Sequence, residues 1–239
     1  MKIFLSVVAF TMLLLLVSRL LPLPSQSIGT GAVPDNALPW QIRVDARTGQ
    51  SEVFGLKPGT STLFEARQRF GGEPDIGIVA ARDELGNLEA YYAQVSMGPL
   101  QGRLILTLDA DQETLKAMRA RAVKAEYMES ATRKIRLSPE DVEAANRIPL
   151  RAISFIPGTN LDDAILRQRF GTPEEVIQHS ETLSHYLYPK LGLDIVLDTK
   201  GKEILQYVAP GEFETRIRAP LMQQEKTAQN PRASAREGS

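Results

Sequence analysis

Two Pro-Gly-Thr triplets in this chain are each followed, after six or seven intervening residues, by Arg-Gln-Arg-Phe-Gly. The first set is Pro58-Gly59-Thr60 with Arg67-Gln68-Arg69-Phe70-Gly71. The second is Pro157-Gly158-Thr159 with Arg167-Gln168-Arg169-Phe170-Gly171. Self-similarity at a fixed offset marks a duplicated structural unit. The predicted fold is α+β: two tandem repeats, each a helix packed on a three- to four-stranded antiparallel sheet, after an N-terminal hydrophobic helix. The expected layout is a leader over 1–24, a linker over 25–39, a first repeat with its connecting helix over 40–130, a second repeat over 131–217 and a disordered tail over 218–239.

Local chemistry places the elements. Gln41-Ile42-Arg43-Val44 alternates as a strand, Ala46 to Gly49 turns, and Ser51 to Leu56 returns. Thr62 and Glu65 have capping-box spacing at the head of a helix that Gly71 closes. Strands follow over 76–81, 89–97 and 103–108. In the second copy a strand over 152–156 leads to a helix capped at Thr159 or Asn160, with Asp162 and Asp163 in its first turn and Gly171 at its end. Further strands are expected over 175–180, 183–188, 193–198 and 202–209. Between the copies, Leu115, Met118, Ala122 and Ala125 make an apolar stripe that predicts a helix over 113–129. Ser138-Pro139-Glu140-Asp141 starts another helix. Ile135-Arg136-Leu137 echoes Ile42-Arg43-Val44 and sets the start of the second copy near residue 131.

The uncharged run over 3–17 spans 15 residues behind Lys2. It suits a signal-peptide core, with Ser25-Gln26-Ser27 as the cleavage region. Extension through Leu20 to Leu23, with Arg19 reaching the interface, would instead give an uncleaved anchor. Lys2 and the free amino terminus then hold that end inside. Both readings put the body in an extracytoplasmic space: the periplasm, inner-membrane anchored by residues 3–23 or released after cleavage. With 28 basic against 29 acidic side chains, no net field attracts nucleic acid. The absence of cysteine removes disulfides, thiolate metal sites and a lipid-carrying thiol together.

No catalytic or cofactor motif is present, so no cofactor, metal or catalytic residue is expected. The two histidines, His179 and His185, fall in consecutive strands and lack a third ligand, and are read as residues on the polar face of a sheet. Ser184, His185 and Asp194 cannot form a triad, because adjacent strand residues face opposite ways. Asp109 and Asp198 end equivalent strands, and an enzyme reading would have them converge between the repeats. The residues expected to bind a partner are Tyr92, Tyr186 and Tyr188, whose rings give rigid amphipathic contact area, with Arg69 and Arg169. Tyr186 and Tyr188 share a strand face and serve equally well as core. The arginines also complement the negative helix end without any partner.

A Gly-Thr-capped helix ending in Phe70-Gly71-Gly72-Glu73-Pro74, or Phe170-Gly171-Thr172-Pro173, then an aromatic strand and a strand ending in Leu-Asp, resembles the SmpA/OmlA domain of outer-membrane assembly lipoproteins. In tandem the pattern is similar to the beta-lactamase inhibitory protein, whose two like domains each pack helices on an antiparallel sheet. The resemblance covers roughly residues 51–110 and 151–210. The chain departs from the lipoproteins in lacking the lipid-bearing cysteine, and from the inhibitor in lacking disulfide cysteines. The resemblance implies this fold and a non-enzymatic tendency; with the export-type leader, the duplication and the missing catalytic motif, the expected function is that of a bacterial cell-envelope protein that binds another protein through its sheet faces, in assembly or scaffolding. The alternatives are an inhibitor of an extracytoplasmic enzyme and a hydrolase with a site between the repeats.

Overall fold

The computed structural model describes residues 41–81, 84–97, 100–127 and 132–229, with side chains to residue 224. The leader, the linker and residues 230–239 lie outside the described residues. Among those described, no helix is long and apolar enough to cross a membrane.

The fold is α+β around one large antiparallel sheet. A small hairpin of β1 (Arg43–Val44) and β2 (Ser51–Glu52) comes first. The sheet is built from β3 (Asp75–Ala80), β4 (Asn87–Met97), β5 (Leu100–Leu108), β6 (Lys124–Tyr127), β7 (Arg133–Arg136), β8 (Leu150–Pro157), β9 (Glu175–Gln178), β10 (Leu183–Tyr188), β11 (Leu193–Asp198) and β12 (Ile204–Val208). Its ten strands run in the order β6-β7-β3-β4-β5-β8-β12-β11-β10-β9. Every neighbouring pair is antiparallel. β12 sits inside the sheet and all five of its residues are buried, so both faces are covered there.

The helices are α1 (Leu63–Phe70), α2 (Gln112–Ala120), α3 (Pro139–Ala145), α4 (Asp163–Phe170) and α5 (Ala219–Gln229). The first four supply Leu63, Ala66, Leu115, Met118, Ala145 and Leu166 to one core on one sheet face. That core runs without a break from Ile78 and Tyr92 to Tyr188 and Leu205. On the opposite face Phe213, Ile217 and Leu221, around the start of α5, pack on Ile177, Leu187 and Val208.

Helix ends follow the local code. Thr62 and Glu65 complete the capping box of α1, and Ser138 accepts from Asp141 N (3.2 Å) at the start of α3. Arg121 fastens α3 through Asp141 (2.6 and 3.2 Å), which holds that carboxyl below its ordinary range.

Several expectations are corrected. The helix foreseen over 113–129 stops at Ala120, and Lys124–Tyr127 becomes edge strand β6. Ala122 and Ala125 give a helix little to bury. As a strand, the same segment satisfies its backbone against β7, with Glu126 paired to Lys124 (2.8 Å) and the Arg133 guanidinium over the Tyr127 ring. β7 pairs with β3 on one side and β6 on the other. The separate small sheets are instead one sheet, because β5 pairs along its length with β8. The tail expected from residue 218 is helical over Ala219–Gln229, since Leu221 and the preceding Ile217 have an apolar surface to cover.

Candidate functional site

α4 is shaped by charges at its start and a glycine at its end. Asp162 accepts from Ile165 N (2.8 Å), so the cap falls there and not at Thr159 or Asn160. Asp163 pairs with Arg167 one turn on (2.8 Å), a contact that lowers the Asp163 pKa. Gly171 adopts φ 79° and donates to Arg167 O, as Gly71 does at φ 65° to Arg67 O. Left-handed φ at these stops favours glycine.

Phe70 stacks edge-on against Tyr92, with centroids 5.8 Å apart, and Phe170 tilts on Tyr188 at 6.2 Å. Tyr92, Tyr186 and Tyr188 are only 6%, 8% and 5% exposed and belong to the helix-side core. Burial raises all three phenol pKa values, that of Tyr92 to about 12. The Tyr188 hydroxyl donates to Gly171 O (3.0 Å), whereas the buried Tyr92 oxygen has no hydrogen-bond partner among the described residues. These tyrosines bind the protein's own helices, because cross-strand aromatics beneath a helix gain more from burial than from water.

The arginines divide. Arg67 pairs with Glu73 (2.6 Å) and Asn146 (2.9 Å). Arg69 is exposed and spends Nε on Phe54 O (3.1 Å). Phe54 belongs to a tight turn from the chain's own start: its ring is 3% exposed and lies 5.4 Å from both Phe155 and Tyr207. Arg169, also exposed, stands at the rim of an open pocket of about 330 Å³. Phe155 and Leu205 of the sheet, Leu166 and Phe170 of α4, and Leu100 of β5 make its apolar walls. Thr159 and Asn160 add polar atoms at the mouth, where Lys202 holds the loop by donating to Asn160 Oδ1 (2.8 Å). Its size lies within the range of small-ligand pockets. Ile165, 36% exposed, forms part of the wall. Sequence reasoning reached Arg169 through the repeated triplet but missed Phe155, Leu205 and Leu100, which only strand pairing brings together.

The enzyme constellation is not assembled. β5 and β11 are separated by three antiparallel steps, so their C-terminal ends, and Asp109 with Asp198, point to opposite ends of the sheet. Asp109 faces Arg151 (3.9 Å) and Arg216 (3.8 Å), while Asp198 accepts from Lys200 N (3.0 Å). His185 is buried, not on a solvent-facing polar face: its Nδ1 lies 2.9 Å from Asp194 Oδ2, with exposures of 2% and 1%. Ser184 instead donates to Gln178 (2.9 Å), on the other face, as strand alternation requires. Among the described residues, no three His, Asp or Glu side chains converge as a metal cluster.

The opposite sheet face also carries buried polar groups with no sequence signal. Arg103 is 2% exposed, and its Nε and both Nη atoms have no hydrogen-bond partner among the described residues. Glu89 is buried, its Oε1 has no hydrogen-bond partner among the described residues, and desolvation pushes its pKa well above the ordinary value against the pull of Arg151 and Lys134.

Comparison with known proteins gives no matching family model, no matching curated protein and no matching solved structure.

Proposed function

We propose that this chain is a non-enzymatic protein of the bacterial cell envelope, made of two tandem SmpA/OmlA-like repeats, that holds a segment of another protein in assembly or scaffolding. Residues 3–23 export the body to the periplasm or anchor it there. The observation that carries the binding role is the apolar pocket beside α4, rimmed by Arg169 and walled by Phe155, Leu205 and Leu166. An apolar pocket with a few polar groups at its mouth is the usual form of a recognition site.

The duplication is supported by matched detail. α1 and α4 have the same length, each ends on a left-handed glycine bonded to the first arginine of its triplet, and each rests its phenylalanine on a sheet tyrosine. The strand order reads β3-β4-β5-β8 from one side and β9-β10-β11-β12 from the other, as a two-fold axis between β8 and β12 would arrange it. Because β8 and β12 pair directly, the two halves present one fixed surface, and binding needs no flexible grip by separate domains.

The role is tested by placing a photoreactive amino acid at position 165, at the pocket, and separately at position 68, on exposed Gln68 of α1, in the full chain in its native envelope. Irradiation is expected to give a discrete adduct with one protein from position 165 and none from 68. No adduct from 165, or the same ladder from both positions, refutes the reading.

A further inference from the structure

We infer that the pocket beside α4 receives an aromatic-glycine turn from a partner protein, the same chemistry that the chain itself supplies to α1 through Phe54 and Gly55. The inference rests on the two-repeat reading and deepens it by naming what the pocket takes.

The first half shows what fits beside the second arginine of an Arg-Gln-Arg helix. Val53 N donates to Leu56 O and Leu56 N to Val53 O, both at 2.9 Å, closing a two-residue turn. Phe54 at φ 57° and Gly55 at φ 79° are both left-handed, as a type I′ turn demands. Phe54 is the one non-glycine residue with positive φ among those described, a conformation costly for a bulky side chain. Burial of its ring between Phe155 and Tyr207 offsets that cost. The turn's outward carbonyl, Phe54 O, accepts from Arg69 Nε. Glycine follows for a steric reason as well: a Cβ on Gly55 would lie 3.0 Å from Arg69 Nε. The aromatic ring fills the floor, the carbonyl meets the guanidinium, and the glycine lets the arginine lie across the turn.

The second half repeats the frame. Arg169 holds the position of Arg69, two residues before the glycine stop, and lines a pocket instead of covering a turn. Phe155 serves both places: it carries the Phe54 ring and forms part of the pocket wall. Leu166 replaces the smaller Ala66 of α1, keeping that wall apolar. The pocket's apolar walls and arginine rim therefore match a phenylalanine, or a similar aromatic, with the carbonyl and glycine that follow it.

The probe is a cyclic peptide carrying Ser-Glu-Val-Phe-Gly-Leu-Lys, the sequence of residues 51–57, titrated into the full chain while Ile and Leu methyl resonances are followed. Saturable shifts are expected at Ile165, Leu166 and Leu205. Affinity is expected to fall at least tenfold when alanine replaces the peptide's phenylalanine, and again in Ile165→Glu, a surface change whose folding circular dichroism verifies. Arg169→Ala should weaken binding with little effect on the methyl shifts of Leu56, which closes the Phe54 turn. No saturable shift overturns the inference. So do equal affinities for the phenylalanine and alanine peptides, or binding sensitive to Arg69→Ala and indifferent to Ile165→Glu, which would mean exchange at the chain's own turn. Shifts given by decanoate and not by the peptide would assign the pocket to an acyl chain and also overturn it. A failed titration beside a positive crosslink from position 165 rejects the turn chemistry alone; failure of the crosslink rejects the protein-binding role.

Discussion

Tyr92 and Tyr188 make opposite predictions for the same substitution. Each ring lies under a helix-end phenylalanine on the same sheet face. Tyr188 Oη donates to the carbonyl of Gly171, the residue that ends α4. Tyr188→Phe removes that hydrogen bond, a net loss of about 0.5–1.5 kcal/mol. Tyr92 Oη is buried with no hydrogen-bond partner among the described residues. Tyr92→Phe removes a desolvated hydroxyl whose uncompensated burial costs about 1–3 kcal/mol, while keeping the ring. For a chain of this size each kcal/mol moves Tm by about 2–4 °C. Thermal unfolding of the full chain at pH 7, followed by circular dichroism, should place Tyr188→Phe a few degrees below the parent and Tyr92→Phe at or above it. A second arm uses pH. Burial pushes the Tyr92 phenol up to about 12, so the native state resists ionisation that the unfolded chain undergoes near 10. The parent's stability is full below about pH 10 and falls as pH rises toward 12, and Tyr92→Phe should lose less over that interval. Equal drops in Tm for both variants would refute the reasoning, because they would give the Tyr92 hydroxyl a partner it is not seen to have.

Three further outcomes follow from groups away from the pocket. The raised Glu89 pKa means its stabilising contribution is complete below about pH 4.3 and lost as pH climbs through the native value; Glu89→Gln should therefore be the more stable protein at pH 7 and show a denaturation midpoint that falls less as pH rises from about 4.3. Arg103→Met replaces a buried guanidinium that has no hydrogen-bond partner among the described residues with an apolar side chain of similar reach, and urea unfolding should show a gain of about 1–4 kcal/mol; a loss would reveal an ion pair there. Gly192, at φ 68° between a 3₁₀ turn and β11, would bring a Cβ within 2.1 Å of Val208 O, so Gly192→Ala should cost at least about 2 kcal/mol in the same assay, and a neutral result would contradict the turn geometry.

What the chain's letters disclosed was local. Thr62 with Glu65, Ser138 with Pro139, and the glycines at 71 and 171 set helix ends because capping is decided within four residues. Alternation placed Tyr91 and Tyr92 on opposite faces, and Tyr186 with Tyr188 on one. It could not say which strands are neighbours: β5 and β8 are both apolar, and period-two patterning is silent about partners. For the same reason the length 113–129 read as one helix, since the edge of β7 that captures Lys124–Tyr127 is a tertiary fact. The aromatic candidates were ambiguous because tyrosine suits both core and interface, and only packing under Phe70 and Phe170 decides for core. Arg169 was legible as a repeated residue; its pocket was not, because the walls come from residues 100, 155 and 205 as well as α4.

The most direct measurement is a co-crystal structure of the full chain with the cyclic residue 51–57 peptide. The account predicts density for the peptide's phenylalanine ring against Phe155 and Leu205, with the following carbonyl within hydrogen-bonding distance of Arg169 and the chain's own Phe54 still in place. A peptide seated on another surface, or one that has displaced Val53–Leu56 from Arg69, would contradict it.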